Sequence, residues 1–350
     1  MSDNADNIIV DTATRIFRDL CEPATVNDAE KGVWPTALWD ALEESGLTVA
    51  WVPDDLGGAG ATMADGFAVL RAAGRFAVPV PLAETLMAGW MLARAGIATP
   101  GGPMTLAPIH ADGNITLDAG GRLRGRARRV PFARNAGYIA VLAHRGNERI
   151  VALVATPGLP VSQDKSLAGE PRDTVSFDGA IPETAKPADI DEDMIQRFGA
   201  AVRLQQMAGA LEKILDQSVQ WALDRSQFGR PIAKFQAVQH NLATLAGEVA
   251  AAGAAADLAA EACAGQEIGI ADVAIAKVRA GEAAGAGAAI AHQVHGAMGF
   301  TYEHSLHHAT RRLWAWREEF GNEAIWAQRL GRMVAAAGAD QLWPLITQDS

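Results

Sequence analysis

Apolar residues recur three and four positions apart in IIVDTATRIFRDL (8–20), ALWDALEESGL (37–47), MADGFAVLRAAGRF (63–76) and LAETLMAGWMLARAG (82–96), the spacing of helices with one buried face. Each run ends near Gly or Pro, and WVPDDLGGAGAT (51–62) is a Gly- and Pro-rich loop between the second and third. From about residue 105 the period shortens to two. ITLDAGGRLRGRARRV, AGYIAVLAH, RIVALVATPG and DTVSFDGA predict four or five short strands, and IPETAKPADID reads as a linker. Helical periodicity returns near residue 189 and persists. Met207, Leu211, Leu215, Val219 and Leu223 recur every four residues and predict one apolar face on a long helix. Further helices are expected from Phe235 to about Cys263, from about Ala271 to Gln293, and beyond Tyr302 through Leu306 and Leu313. Four long antiparallel helices rich in Ala and Gly predict a closely packed bundle.

The pattern is that of a mostly helical α+β chain. A helical domain is expected over residues 1–107, a small β domain over 108–188 and a four-helix bundle over 189–350. No GxGxxG follows a strand and no GxxxxGK[ST] occurs, which argues against a Rossmann or P-loop nucleotide site. Of 350 residues, 49% are hydrophobic and 20% charged, a globular mixture able to bury a sizeable core. The net charge of -11 excludes a surface built to coat nucleic acid, which needs clustered Lys and Arg. Cys21 and Cys263 match neither a metal-ligand nor a CxxC spacing, and the acidic N-terminus has no signal-peptide pattern. Apolar stretches are interrupted by Gly, Glu, Asp or Lys, so no membrane span is expected and a cytoplasmic location fits.

Two segments carry chemistry. In DRSQFGRPIAKFQAVQH (224–240), Gly229 suits the left-handed residue that stops a helix, Pro231 cannot continue one, and Arg225 complements a helix C-terminus. In QVHGAMGFTYE (293–303) a later helix again ends in a Gly-containing turn with Gln and aromatic side chains. Together with VPDDLGGAGATMADGFAVLRAAGRF and IAKVRAGEAA, these stretches resemble the signatures of the acyl-CoA dehydrogenase family across nearly the whole chain. The resemblance implies an α-β-α fold, bound FAD and α,β-dehydrogenation of an acyl-CoA thioester. It further implies that Arg225 and Phe228 hold the diphosphate and pack near the adenine of a flavin bound mostly by a neighbouring subunit. A guanidinium fork matches phosphate oxygens. Gln227 lies beside them, and Gln293 and Gly296 match the glutamine and first glycine that approach the diphosphate; Ala297 replaces the second glycine.

Two features depart from the family pattern. The T-E-P-x-A-G-S-D loop and K-x-W-I-T strand, which serve the flavin ring and acyl chain, have no counterpart after Pro103. The reaction also needs a carboxylate beside the carbon next to the thioester. Phe320 stands at the usual glutamate position, Gly199 or Ala200 at the alternative one, and Glu319 is a nearby carboxylate candidate next to Glu318. Among His292, His295, His304, His307 and His308, the pair His304 and His308 are four apart, but no third ligand has suitable spacing and no metal is expected. Trp314, Trp316 and Trp326 are expected in the core or at a subunit interface.

The chain is similar to the shorter subunit of heterotetrameric, steroid side-chain type acyl-CoA dehydrogenases. The similarity implies a homologous partner that supplies the base and most of the flavin bed. A self-sufficient homo-oligomer using Glu319, and a non-catalytic assembly subunit, are the alternatives.

Overall fold

The computed structural model describes residues 3–108, 114–265 and 268–347. Two compact units divide the chain, Met1–Gly199 and Ala200–Ser350. The first begins with α1 (Asp3–Leu20), α2 (Pro23–Glu30), α3 (Thr36–Glu44), α4 (Met63–Arg75) and α5 (Leu82–Arg94). Thr62 and Asp65 form a reciprocal capping box that starts α4. An aromatic nest of Trp51, Phe67, Trp90 and Phe198 seals this region, with Trp90 stacked on Phe198 at 4.0 Å.

The sheet region runs through β1 (Met104–Ala107), β2 (Thr116–Leu117), β3 (Leu123–Arg124), β4 (Arg126–Pro131), β5 (Tyr138–Arg145), β6 (Glu148–Ala155), β7 (Val161–Ser162), β8 (Arg172–Ser176) and β9 (Thr184–Pro187). One sheet has the order β3-β2-β5-β6-β9 with β1 also on β5; the other is β4-β8-β7. Ile139 to Ala143 and Ile150 to Val154 are buried at every position, so β5 and β6 are covered on both faces rather than on alternate residues. The expected linker at 181–191 contains β9, which pairs antiparallel with β6 from Thr184 opposite Leu153 to Pro187 opposite Ile150. Pro187 is tolerated because β9 is an edge strand. The Thr85 hydroxyl exchanges hydrogen bonds of 3.1 and 3.0 Å with the Met104 backbone, tying β1 to α5.

The division between units falls within α6 (Glu192–Asp224). A two-strand hairpin, β10 (Ser226–Gln227) and β11 (Arg230–Pro231), leads to α7 (Gln236–Ala262), α8 (Ile270–His295), α9 (Leu306–Glu318), α10 (Glu323–Ala337) and α11 (Leu342–Thr347). The helices α6, α7 and α8 meet at Gly287, where an added Cβ would lie 3.0 Å from Leu211, 3.3 Å from Leu245 and 3.5 Å from Ile214. Glycine lets the three helices approach this closely without those side chains giving way. The Gln205 amide also donates to Ala256 O at 2.9 Å, joining α6 to α7.

The expected apolar face of α6 is only partly buried. Met207 and Leu211 are inside, but Val219 and Leu223 are 38% and 52% exposed. A strict four-residue repeat advances about 40° around the helix at each step, so it drifts off the buried side within four steps. The buried series instead turns through Met207, Leu211, Ile214, Ser218 and Ala222. Among the described residues, one helix, α7, is long and apolar enough to cross a membrane by length and composition, although Gly and Glu interrupt it as expected. Alanine accounts for this: it raises hydropathy without the bulk that fills a core. One side of α7, through Leu245, Val249, Ala252 and Ala256, is nevertheless buried in the protein.

Candidate functional site

The sequence from Asp224 to Phe235 makes a corner, but by a different route from a glycine-stopped helix. α6 ends at Asp224, five residues before Gly229. Arg225 then closes both sides of the break: its N–H donates to Trp221 O at 2.9 Å and its carbonyl accepts from Ile232 N at 2.8 Å. Ser226 pairs with Pro231 and Gln227 with Arg230, leaving Phe228 and Gly229 as a two-residue turn at φ 53° and 79°. Positive φ at both central residues is the mirror-image turn that matches strand twist in short hairpins. Gly229 takes this conformation freely, whereas for Phe228 it costs on the order of 1–3 kcal/mol. The strained residue is also 90% exposed, with its ring edge-on to Phe235 at 6.1 Å.

The second segment faces the first. α8 ends at His295, and Gly296 follows at φ 61°, ψ -144°, a conformation near the region reserved for glycine. A short 3-10 turn, Gly296–Phe300, carries the chain away. Arg225, Gln227, Phe228, Gln293 and Gly296, all expected from the sequence to contact the cofactor, line one cleft of about 500 Å³ with Trp221, Phe235, His295 and Ala297. The side chains of Arg225, Gln227 and Gln293 make no hydrogen bond or ion pair with described residues, so their donors are uncommitted. One cation, two amides, the rings of Trp221, Phe228 and Phe235, and an exposed glycine backbone suit a phosphate-bearing ligand with a flat ring.

Trp221 and His295 were not among the expected cofactor residues. Trp221 lies in the last turn of α6, four residues before Arg225, whose N–H donates to its carbonyl. Its indole stacks on the His295 imidazole at 5.3 Å and 21°. His295 Nδ1 lies 2.8 Å from Ala291 O, which fixes the proton on Nδ1. Burial pushes His295 down to about 4, with His304 and His292 adding to the shift, so the ring is neutral at neutral pH. Burial likewise lowers His292, His304 and His308, the last to about 3. His304 precedes α9 rather than sharing a helix with His308, and no group of three or more His, Cys, Asp or Glu among the described residues is arranged to hold a metal.

The carboxylate candidate lies elsewhere in the same unit. Glu319 follows α9 and is 2% exposed; its Oε2 accepts from Arg203 Nε at 2.7 Å, and the Arg203 side chain is 1% exposed. Lys277, also buried, caps α9 by donating to Trp316 O at 3.3 Å and Arg317 O at 2.9 Å. Burial lowers Lys277 to about 7, opposed by the Glu319 charge and reinforced by Arg203. Arg203 also donates to Gln206. Glu319 is thus held in a packed ion-pair cluster and lines neither the cleft above nor the smaller aromatic one around His292 and Trp314.

Against curated proteins, the chain is 30% identical over 289 residues to acyl-CoA dehydrogenase IpdE2 of Mycobacterium tuberculosis, covering 81% of this chain and 83% of that protein. The chain belongs to the acyl-CoA dehydrogenase family. The family's N-terminal domain matches residues 3–99 and its C-terminal domain residues 196–335. Most of the sheet region lies between these stretches, where the family's flavin-ring motifs were not found. Acyl-CoA dehydrogenase FadE34 of the same organism is 29% identical over 89% of this chain but only 45% of its own length. Among solved structures, the ChsE4-ChsE5 complex from Mycobacterium tuberculosis superposes with a TM-score of 0.84 at 25% identity, covering 97% of this chain and 99% of that one. Within this acyl-CoA dehydrogenase chain, the 500 Å³ cleft and the Arg203–Glu319 pair both fall inside the C-terminal domain match.

Proposed function

We propose that this chain is the flavin-completing subunit of a heteromeric, FAD-dependent acyl-CoA dehydrogenase that oxidises an acyl-CoA thioester to its α,β-unsaturated form. The observation that carries it is a division of labour. Uncommitted Arg225, Gln227 and Gln293 gather on one cleft, while Glu319 is consumed by a buried ion pair. FAD, when bound, supplies the hydride acceptor that α,β-dehydrogenation requires. The residues of this chain fit its nucleotide half: the Arg225 guanidinium would pair with the diphosphate, Gln227 and Gln293 would donate to its oxygens, and Phe228 would cover the adenine. Gly296 keeps the backbone open to the phosphates.

The catalytic carboxylate belongs to the partner. A carboxylate already accepting from a buried guanidinium is a poor proton acceptor for a substrate carbon, because taking the proton would remove the negative charge that Arg203 is buried against. Exposed Phe228, Leu223 and Val219 supply apolar area for a homologous subunit. FadE34 supports pairing of this kind, since its matched stretch leaves more than half its length for a second unit, and ChsE4-ChsE5 is itself a complex of two components. The protein works in the cytoplasm without a membrane span. Functional regions are assigned as 1–107, helical apart from β1 at its end, 108–188 for the rest of the sheet, and the bundle beyond.

Arg225→Ala tests the diphosphate assignment. Losing one hydrogen-bonded charge contact, worth about 1.5–3 kcal/mol, lowers FAD affinity of the two-subunit mixture by roughly 10- to 100-fold. Unchanged affinity would show that the guanidinium does not meet the cofactor.

A further inference from the structure

One residue lining the cleft carries a buried polar atom without a hydrogen-bond partner. His295 is 4% exposed and its Nδ1 is committed to Ala291 O. Its Nε2 is buried and has no hydrogen-bond partner. Because the proton sits on Nδ1, Nε2 carries a lone pair and is an acceptor only. Trp221 stacks on one face of the ring, and His304 meets it at 4.7 Å and 66°. The ring is held in one orientation at the junction of α8 with the Gly296 turn, between Gln293 and Gly296 in sequence.

We infer that His295 is a cofactor-positioning residue: its Nε2 accepts a hydrogen bond from a hydroxyl or amine donor on the adenine-nucleotide half of the ligand that fills this cleft. The inference rests on the flavin-completing role above and deepens it. Arg225 offers only N–H donors, and with the Gln227 and Gln293 amide N–H groups turned to phosphate oxygens, ribose hydroxyls and the adenine amine still need acceptors. Beside two amide oxygens that can turn either way, His295 Nε2 is an acceptor held in one place. An imidazole suits the task better than a carboxylate, which would repel the diphosphate. Its depressed basicity keeps it neutral, so it accepts without adding charge. An orphaned buried acceptor destabilises the empty fold. A ligand donor that reaches it recovers that loss on binding, so the cost appears as affinity.

Two readouts separate this role from simple packing. In the full-length chain, His295→Phe keeps a stacked ring on Trp221 but removes Nε2. FAD and ADP are titrated calorimetrically at neutral pH into the chain mixed with its homologous partner subunit, and thermal unfolding of the chain is recorded without ligand. The expected result is about tenfold weaker binding of both ligands, equivalent to ~1.4 kcal/mol, together with a melting temperature at or above wild type. His295→Gln, which returns an amide oxygen at similar reach, recovers part of the affinity. A lower melting temperature with unchanged affinity would mean that the ring only packs, and would overturn the inference. If Arg225→Ala abolishes binding while His295→Phe leaves it intact, this inference fails and the flavin-completing role stands. If wild type binds neither ligand, alone or mixed with a homologous partner subunit, both fail.

Discussion

Glu319→Gln separates a buried structural carboxylate from a catalytic one. Arg203 and Glu319 are 1% and 2% exposed and their contact is 2.7 Å. Neutralising one partner leaves a guanidinium in the bundle without its counter-charge, which costs about 3–5 kcal/mol. At roughly 2–4 °C per kcal/mol for a domain of 150–250 residues, the melting temperature should fall by about 6–20 °C. The loss does not stop at the pair. The Glu319 charge raises Lys277 towards its ordinary range, so its removal pushes Lys277 further below about 7 and favours the neutral amine. A double variant, Arg203→Met with Glu319→Leu, removes both charges and should recover most of the stability, since apolar replacements of buried pairs are often neutral or better. The assay is thermal and urea unfolding of the full chain as wild type, Glu319→Gln and the double variant. If Glu319→Gln melted within about 2 °C of wild type, as surface substitutions within ±0.5 kcal/mol do, the ion-pair account would be refuted and Glu319 would return as an accessible base.

Two further predictions follow from single residues. Lys277 titrates near 7 in the fold against 10.5 unfolded, so between these values the unfolded chain binds more protons and stability should rise with pH from about 7 towards 10; Lys277→Met should flatten that rise in urea midpoints measured across the range. Phe228→Asn should stabilise the isolated chain by about 1 kcal/mol, because Asn tolerates positive φ better than Phe, while weakening association with the partner subunit in sedimentation measurements; stabilisation with undiminished association would show that the exposed ring has no partner.

The cofactor corner was legible because its residues cluster at two helix ends, and helix ends announce themselves through Gly, Pro and the loss of periodicity. What the sequence did not convey is how the chain turns. Gly229 does adopt a left-handed conformation, but as half of a hairpin turn rather than as a helix stop, because Phe228 shares the positive φ that only the surrounding strands impose. The drift of Val219 and Leu223 out of the core is a geometric consequence of repeat length, visible only when the steps are summed around the axis. β9 hid in a stretch whose prolines read as linker, since edge pairing depends on β6 lying alongside. Glu319 lay beyond sequence reasoning for a similar reason: its partner Arg203 is 116 residues away. His295 sat inside a quoted motif, yet its role depends on which ring nitrogen Ala291 O claims.

The central claim is that the chain completes a flavin site it does not own. Its most direct test is the visible spectrum and acyl-CoA-dependent dye reduction of the purified chain, alone and after mixing with the homologous product of a neighbouring gene. The account predicts colourless, inactive protein alone and stoichiometric FAD with dye reduction in the mixture. A yellow chain that reduces dye by itself would contradict it.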